Sequence, residues 1–235
     1  VDEKWRKMDL KGQVGEKKRF KVTIDQADGE KRSLSILAED AGAMLRTLGY
    51  YENMVGGTLE VKGTFDDQAV DGPLDGRVMI RDYRVVNAPV LARVVSVMAL
   101  TGIPEALQGD GLNFVLLEAP FTLAKGTIKV KDAKASGASL GFTASGDIYT
   151  HADMVNMEGT MVPAYLINSV LGEIPILGDI FTGGEEGGGV FAATYKMTGP
   201  VENPEISVNP LSALAPGFLR NLFTIFDSQE KLSEA

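Results

Sequence analysis

The 235-residue chain has no cysteine, one histidine (His151) and one tryptophan (Trp5). Lack of cysteine excludes a disulfide scaffold, a zinc–thiolate site, an iron–sulfur cluster and a cysteine nucleophile. It leaves the compartment open, because such a chain suits reducing and oxidising surroundings equally. A single imidazole excludes any site that needs two. Positive charge is scarce as well: 23 Lys and Arg stand against 32 Asp and Glu, a formal net charge of −9. Tight nucleic-acid binding needs a cationic surface, so no nucleic-acid partner is expected. The charge is uneven, with ten basic and seven acidic residues in 1–35 but three and seven in 183–235. Long hydrophobic runs are also missing. The longest uncharged stretch of the first half, Val94–Pro104, is too short to span a bilayer. No signal peptide or initiator methionine is visible, so Val1 reads as a cut end and the chain as a piece of a longer protein.

Glycine is abundant, with 27 residues spread along the chain. Between the glycines, polar and apolar residues alternate. Residues 18–24 (KRFKVTI) place Phe20, Val22 and Ile24 on one side, and 33–37 (SLSIL) repeat the pattern. Period-two alternation marks strands with one wet and one dry face. Asp28-Gly29 between them predicts a hairpin turn. Further strands are predicted over 57–63, 76–86, 112–117, 120–124, 126–131, 138–149, 157–162 and 189–198. Three helices interrupt them. Asp40 caps a short one ended by Gly49. Pro89 opens a second over 88–101, apolar on nearly all sides and charged only at Arg93. Pro216 opens a third, with Leu219, Leu222, Phe223 and Phe226 at helical spacing; the end SQEKLSEA is polar.

A weak internal repeat is present. Gly63 and Gly146 lie 83 residues apart, as do Gly76 and Gly159, Leu59 and Phe142, Val61 and Ala144, and Phe65 and Ile148. The implied units, about 57–125 and 140–199, suggest modular growth of one sheet. A single domain over 1–227 with a polar tail at 228–235 is expected.

Catalytic motifs fail on context. GASLG (137–141) matches G-x-S-x-G around Ser139, with Asp147 and His151 following in hydrolase order. A nucleophile elbow must join a strand to a helix, whereas the next residues alternate like a strand. The loop GGEEGGG (183–189) has no Lys-Ser/Thr after it and two acids that repel phosphate. DQAVDG (67–72) places Ala69 at a calcium-ligand position and Val78 where a bidentate Glu belongs. The carboxylate pairs Asp66-Asp67 and Glu185-Glu186 sit in polar turns, with nothing foreseen to shift their pKa. No enzyme, metal site or cofactor is expected, and His151 reads as a turn residue.

What remains is shape. Strands with one apolar face must cover it with their own chain or with a ligand. Acyl chains require only a continuous apolar surface and dryness, at about 0.8 kcal/mol per buried CH₂. An ordinary closed core is the alternative. Leu59, Val61, Val78, Ile80, Ile128, Val130 and Phe142 are expected on the apolar side. Val94 and Met98 join them from the apolar helix, which serves as a plug, lid or membrane-facing element. These nine are the candidate lipid-contacting residues.

The second half also carries Val162-Pro163 before Leu166-Ile167-Asn168, and Ile174-Pro175-Ile176-Leu177-Gly178. Gly199-Pro200 follows with Asn203-Pro204, Val208-Asn209-Pro210, and Pro216-Gly217 before Leu219-Arg220. With DAGAMLRTLGYYENMVGGTLEVKG (40–63), these segments resemble the C-terminal region of the AsmA-like family of Gram-negative envelope proteins, which includes YhdP and TamB types, and are closest to the YhdP type. The resemblance runs from about residue 34 to 226. It implies a periplasmic fragment of an inner-membrane-anchored protein: an elongated, curved, largely antiparallel β-sheet forming a groove or half-pipe. Two or three amphipathic helices would lie on its apolar side. It further implies a role in carrying phospholipid between the inner and outer membranes, with a membrane surface or envelope proteins as further partners. The rival expectation is a non-enzymatic scaffold that binds envelope proteins through an exposed sheet edge.

Overall fold

The computed structural model describes residues 5–26, 31–89, 91, 92, 110–163 and 193–209. Among these residues eleven strands form one open antiparallel sheet in which every strand pairs with its neighbours in sequence. They are β1 (Met8–Val14), β2 (Lys18–Asp25), β3 (Ser33–Ala38), β4 (Met54–Phe65), β5 (Leu74–Val85) and β6 (Leu112–Ala124). β7 (Thr127–Gly137), β8 (Leu140–Tyr149), β9 (Met154–Pro163), β10 (Ala193–Pro200) and β11 (Glu205–Asn209) complete it. β1 and β11 are the edges and do not close on each other. This agrees with the curved, largely antiparallel sheet expected.

Alternation places most strands where the sequence predicts them, but several details differ. The segments 112–117 and 120–124 form one strand, β6, that passes through Pro120. Proline lacks the N–H a ladder needs, and the pairing with β7 slips between Glu118 and Phe121 at this point. β1 and β11 were not foreseen; each is short, and β11 has only five residues. β7 bulges at Asp132, whose φ is +50° and whose N–H donates to Ser145 Oγ at 2.9 Å.

The described residues hold fewer helices than the two or three expected. Among the described residues one is complete, α1 (Ala41–Thr47). Asp40 caps it, its Oδ1 accepting from Ala43 N–H at 2.8 Å, and Gly49 ends it at φ +72°. The helix buries Ala41, Gly42, Ala43 and Met44 and packs on β4. Gly42 is required there, because a Cβ would run into the Met54 carbonyl. Of the second helix, Pro89, Leu91 and Ala92 are described as helical, and Ala92 N–H bonds to Ala88 O at 2.9 Å. The rest of that helix, the Asp28-Gly29 turn and the helix at Pro216 lie outside the described residues.

The matched residues of the sequence repeat fall on β4–β5 and on β8–β9. β4–β5 and β8–β9 are both hairpins, each followed by a long connection and a strand, β6 or β10, that pairs with the hairpin's second strand. The registers differ: Gly63 faces Gly76 in the first hairpin, whereas Ala144 faces Gly159 in the second.

Candidate functional site

Cross-strand registers assemble the apolar face. One row crosses all eleven strands without a charged or polar side chain: Met8, Ile24, Leu34, Gly63, Gly76, Phe121, Val130, Gly146, Met157, Met197 and Ile206. A second runs Gly12, Phe20, Ala38, Leu59, Ile80, Leu117, Ala135, Phe142, Met161 and Ala193. Between them, Val22, Ile36, Val61, Val78 and Ala119 face one another in turn. Directly opposed side chains on one face touch, so these rows form continuous apolar ribbons across the strands.

The glycines in the rows are covered by large neighbours. A Cβ at Gly76 would meet the Phe121 ring at 2.8 Å, and one at Gly159 would meet the Tyr195 hydroxyl at 2.8 Å. Such rings lying over a bare backbone keep the face apolar where a side chain is missing.

Of the nine candidate residues, seven share this face: Leu59, Val61, Val78, Ile80, Ile128, Val130 and Phe142. Leu59, Val61, Ile80 and Val130 are buried, and the other three are half-buried. Val94 and Met98 lie outside the described residues. Sequence reasoning missed the aromatic cluster on the same side. Tyr83 stacks on Phe114 with centroids 5.2 Å apart, and Phe114 meets Phe142 edge-on at 5.7 Å. Positive φ at Asp82 (+53°) and Gly57 (+81°) interrupts the pairing without shifting its register, and Tyr83 turns inward where simple alternation would point it outward. Tyr83 is 3% exposed, and its hydroxyl has no hydrogen-bond partner. Burial raises its pKa well above the ordinary tyrosine value, and likewise that of Tyr195, whose hydroxyl donates to Thr143 O at 2.8 Å.

The opposite face is charged over β1–β5. Lys11, Lys21, Leu37, Glu60 and Met79 lie in one row, flanked by Arg19, Glu39 and Arg81 around an open basin of about 750 Å³. The basin opens on the charged face, and of the seven candidate residues Leu59 also contributes to its wall. Its charges are partly matched: Arg19 pairs with Glu39 at 2.6 Å and Glu60 with Lys62. Hydrogen bonding from Arg19 lowers the Glu39 pKa. Farther along, this face is not uniformly wet, since Ser136, Thr160 and Val162 are buried on it.

The hydrolase-like constellation does not assemble. Ser139 sits in the two-residue turn between β7 and β8 and is exposed, whereas His151 lies in the turn after β8. The ten residues of β8 hold the two ends apart by roughly 30 Å at about 3.3 Å per residue. Asp147 instead pairs with Lys129 at 3.9 Å, and the His151 ring packs against Gly126. The acids at 66 and 67 are better partnered than expected. Lys31 bonds to Asp66 and lowers its pKa, whereas Asp67 holds the buried Arg32 guanidinium at 2.6 and 2.7 Å. Arg32 also donates to Trp5 O at 3.0 Å and lies 4.1 Å from the Phe65 ring centroid. The pair is therefore a structural clamp on the β4–β5 turn. Among the described residues no group of three or more His, Asp or Glu is arranged to hold a metal ion. The acidic loop 183–189 lies outside them. Among the described residues no helix is long and apolar enough to cross a membrane.

No family model, curated protein or solved structure matches the chain.

Proposed function

We propose that this chain holds lipid acyl chains against the apolar face of its sheet, without catalysis. The observation that carries the reading is the apolar row running through all eleven strands. A closed core needs apolar residues only where elements meet. A ribbon continuous from edge to edge offers a path along which hydrocarbon can lie at any point. Each CH₂ sheltered there contributes about 0.8 kcal/mol, so a single acyl chain is held by surface alone. The resemblance to AsmA-like C-terminal regions supplies the setting of this proposal: a periplasmic segment of an inner-membrane-anchored protein carrying phospholipid between the two membranes.

Native mass spectrometry of the purified chain, with organic extraction of the same sample, tests the reading. Phospholipid at a reproducible stoichiometry is expected. A clean apo mass that stays unchanged after incubation with phospholipid vesicles would overturn it. The scaffold reading draws on one observation, the edge of β1: seven residues with no strand beyond them among the described residues. Saturable binding of an envelope protein without co-purifying lipid would favour that alternative.

A further inference from the structure

We propose that the end of the sheet carrying the α1–β4 loop seats in the lipid–water interface of a bilayer, with Leu48, Tyr50 and Tyr51 as the inserted side chains. This extends the acyl-holding reading by naming where the apolar face meets a membrane. Leu48 is 51%, Tyr50 73% and Tyr51 37% exposed, three large side chains within four residues. Isolated exposed hydrophobic residues are ordinary, but an adjoining set of this kind marks a contact surface.

The loop is also held in place. Tyr50 N–H bonds to Leu45 O at 2.9 Å, Gly49 N–H to Arg46 O at 3.0 Å, and the Arg46 guanidinium to Met54 O at 2.7 Å. The side chains are thus presented on an ordered turn, so little conformational freedom is lost when they bind.

A second observation fixes the kind of partner. Asn53 Nδ2 donates to Asn87 O at 2.6 Å, and Val86 N–H donates to Asn53 O at 2.9 Å. These bonds tie the loop to the start of the segment that continues through Ala88 and Ala92 into the uncharged sequence 94–104. Two apolar stretches of chain therefore start side by side at one end of the sheet. Tyrosine suits the boundary itself, since its ring is apolar and its hydroxyl remains in the headgroup layer. With a net charge of −9 on the chain, a zwitterionic surface fits better than an anionic one.

The single tryptophan makes the test direct. The Trp5 carbonyl accepts from Arg32 near the β4–β5 turn, at the other end of β4 from the loop. Replacing Trp5→Phe and Tyr50→Trp moves the fluorophore to the loop. On adding phosphatidylcholine vesicles, emission from position 50 is expected to shift to the blue and to be quenched by lipid brominated near the carbonyls. Trp5 in the unaltered chain should shift far less. The double variant Leu48→Ser, Tyr51→Ser, with unchanged circular dichroism, should weaken vesicle partitioning about tenfold. An unshifted Trp at 50, or vesicle binding untouched by the double variant, would overturn the proposal. If lipid co-purifies but position 50 stays in water, the seating fails and the acyl-holding reading stands. If position 50 enters the bilayer and no lipid co-purifies, the reverse holds.

Discussion

The two faces of this sheet share one backbone and differ in almost everything else. On β5, Val78 and Ile80 point to one side, and Arg77, Met79 and Arg81 to the other. Ile80 joins an apolar ribbon over β1–β10, and Val78 a shorter one over β2–β6. The second set joins a patchwork of ion pairs such as Arg77–Glu118 at 2.9 Å and Arg19–Glu39 at 2.6 Å. Stability therefore resides on one face and solubility on the other. A strand that must hold hydrocarbon needs only this division, and no reactive group.

Adjacent residues offer the sharpest way to break the comparison. Ile80→Ala should cost about 3 kcal/mol through lost burial and the cavity left behind. Met79→Ala, its half-buried neighbour on the charged face, should cost about 0.5 kcal/mol or less. Urea denaturation of both variants checks the ratio, and equal losses would show that the face assignment is wrong. The next largest contrast lies between ion pairs. Arg32 is 7% exposed, and Arg32→Ala should cost about 2 kcal/mol, because it removes the two charged hydrogen bonds to the Asp67 carboxylate and the one to Trp5 O. Arg19→Ala removes a solvated pair and should leave the denaturation midpoint within experimental scatter.

The buried phenols give a smaller, pH-dependent effect. The folded state holds Tyr83 and Tyr195 protonated above the usual tyrosine pKa near 10, whereas the unfolded chain ionises there. Stability is unaffected by them below pH 10 and falls as pH rises beyond it. The loss should reach about 1.4 kcal/mol for each at one pH unit above, since a full unit is worth 1.36 kcal/mol. Absorbance at 295 nm should show the two ionising only with unfolding. A small change of opposite sign is expected at the orphan hydroxyl. Tyr83→Phe should leave stability unchanged or raise it by up to about 1 kcal/mol, because a buried unpaired donor is removed while the stack on Phe114 remains.

Much of the sheet was legible because period two survives any register. Phe20, Val22 and Ile24 lie on a common side whatever their partners, and so do Leu59 and Val61. The rows were not legible, since they depend on which residues stand opposite. Gly63 beside Gly76, and Phe121 lying over Gly76, become meaningful only once β4, β5 and β6 are in register. Irregular backbone hid more. Asp82 and Asp132 adopt positive φ and reset the alternation, so Tyr83 and Ala133 turn inward against the count. Short edge strands such as β11 carry too few residues for a pattern to stand out. The Asp67–Arg32 clamp joins residues 35 apart, and no local spacing announces it.

The central claim is that hydrocarbon lies on one face and not on the other. A benzophenone side chain placed first at Val78 and then at Met79, irradiated in cells and followed by lipid analysis of the crosslinked band, tests it most directly. The account predicts phospholipid adducts at position 78 and none above background at 79. Equal labelling at both positions, or none at 78, would contradict it.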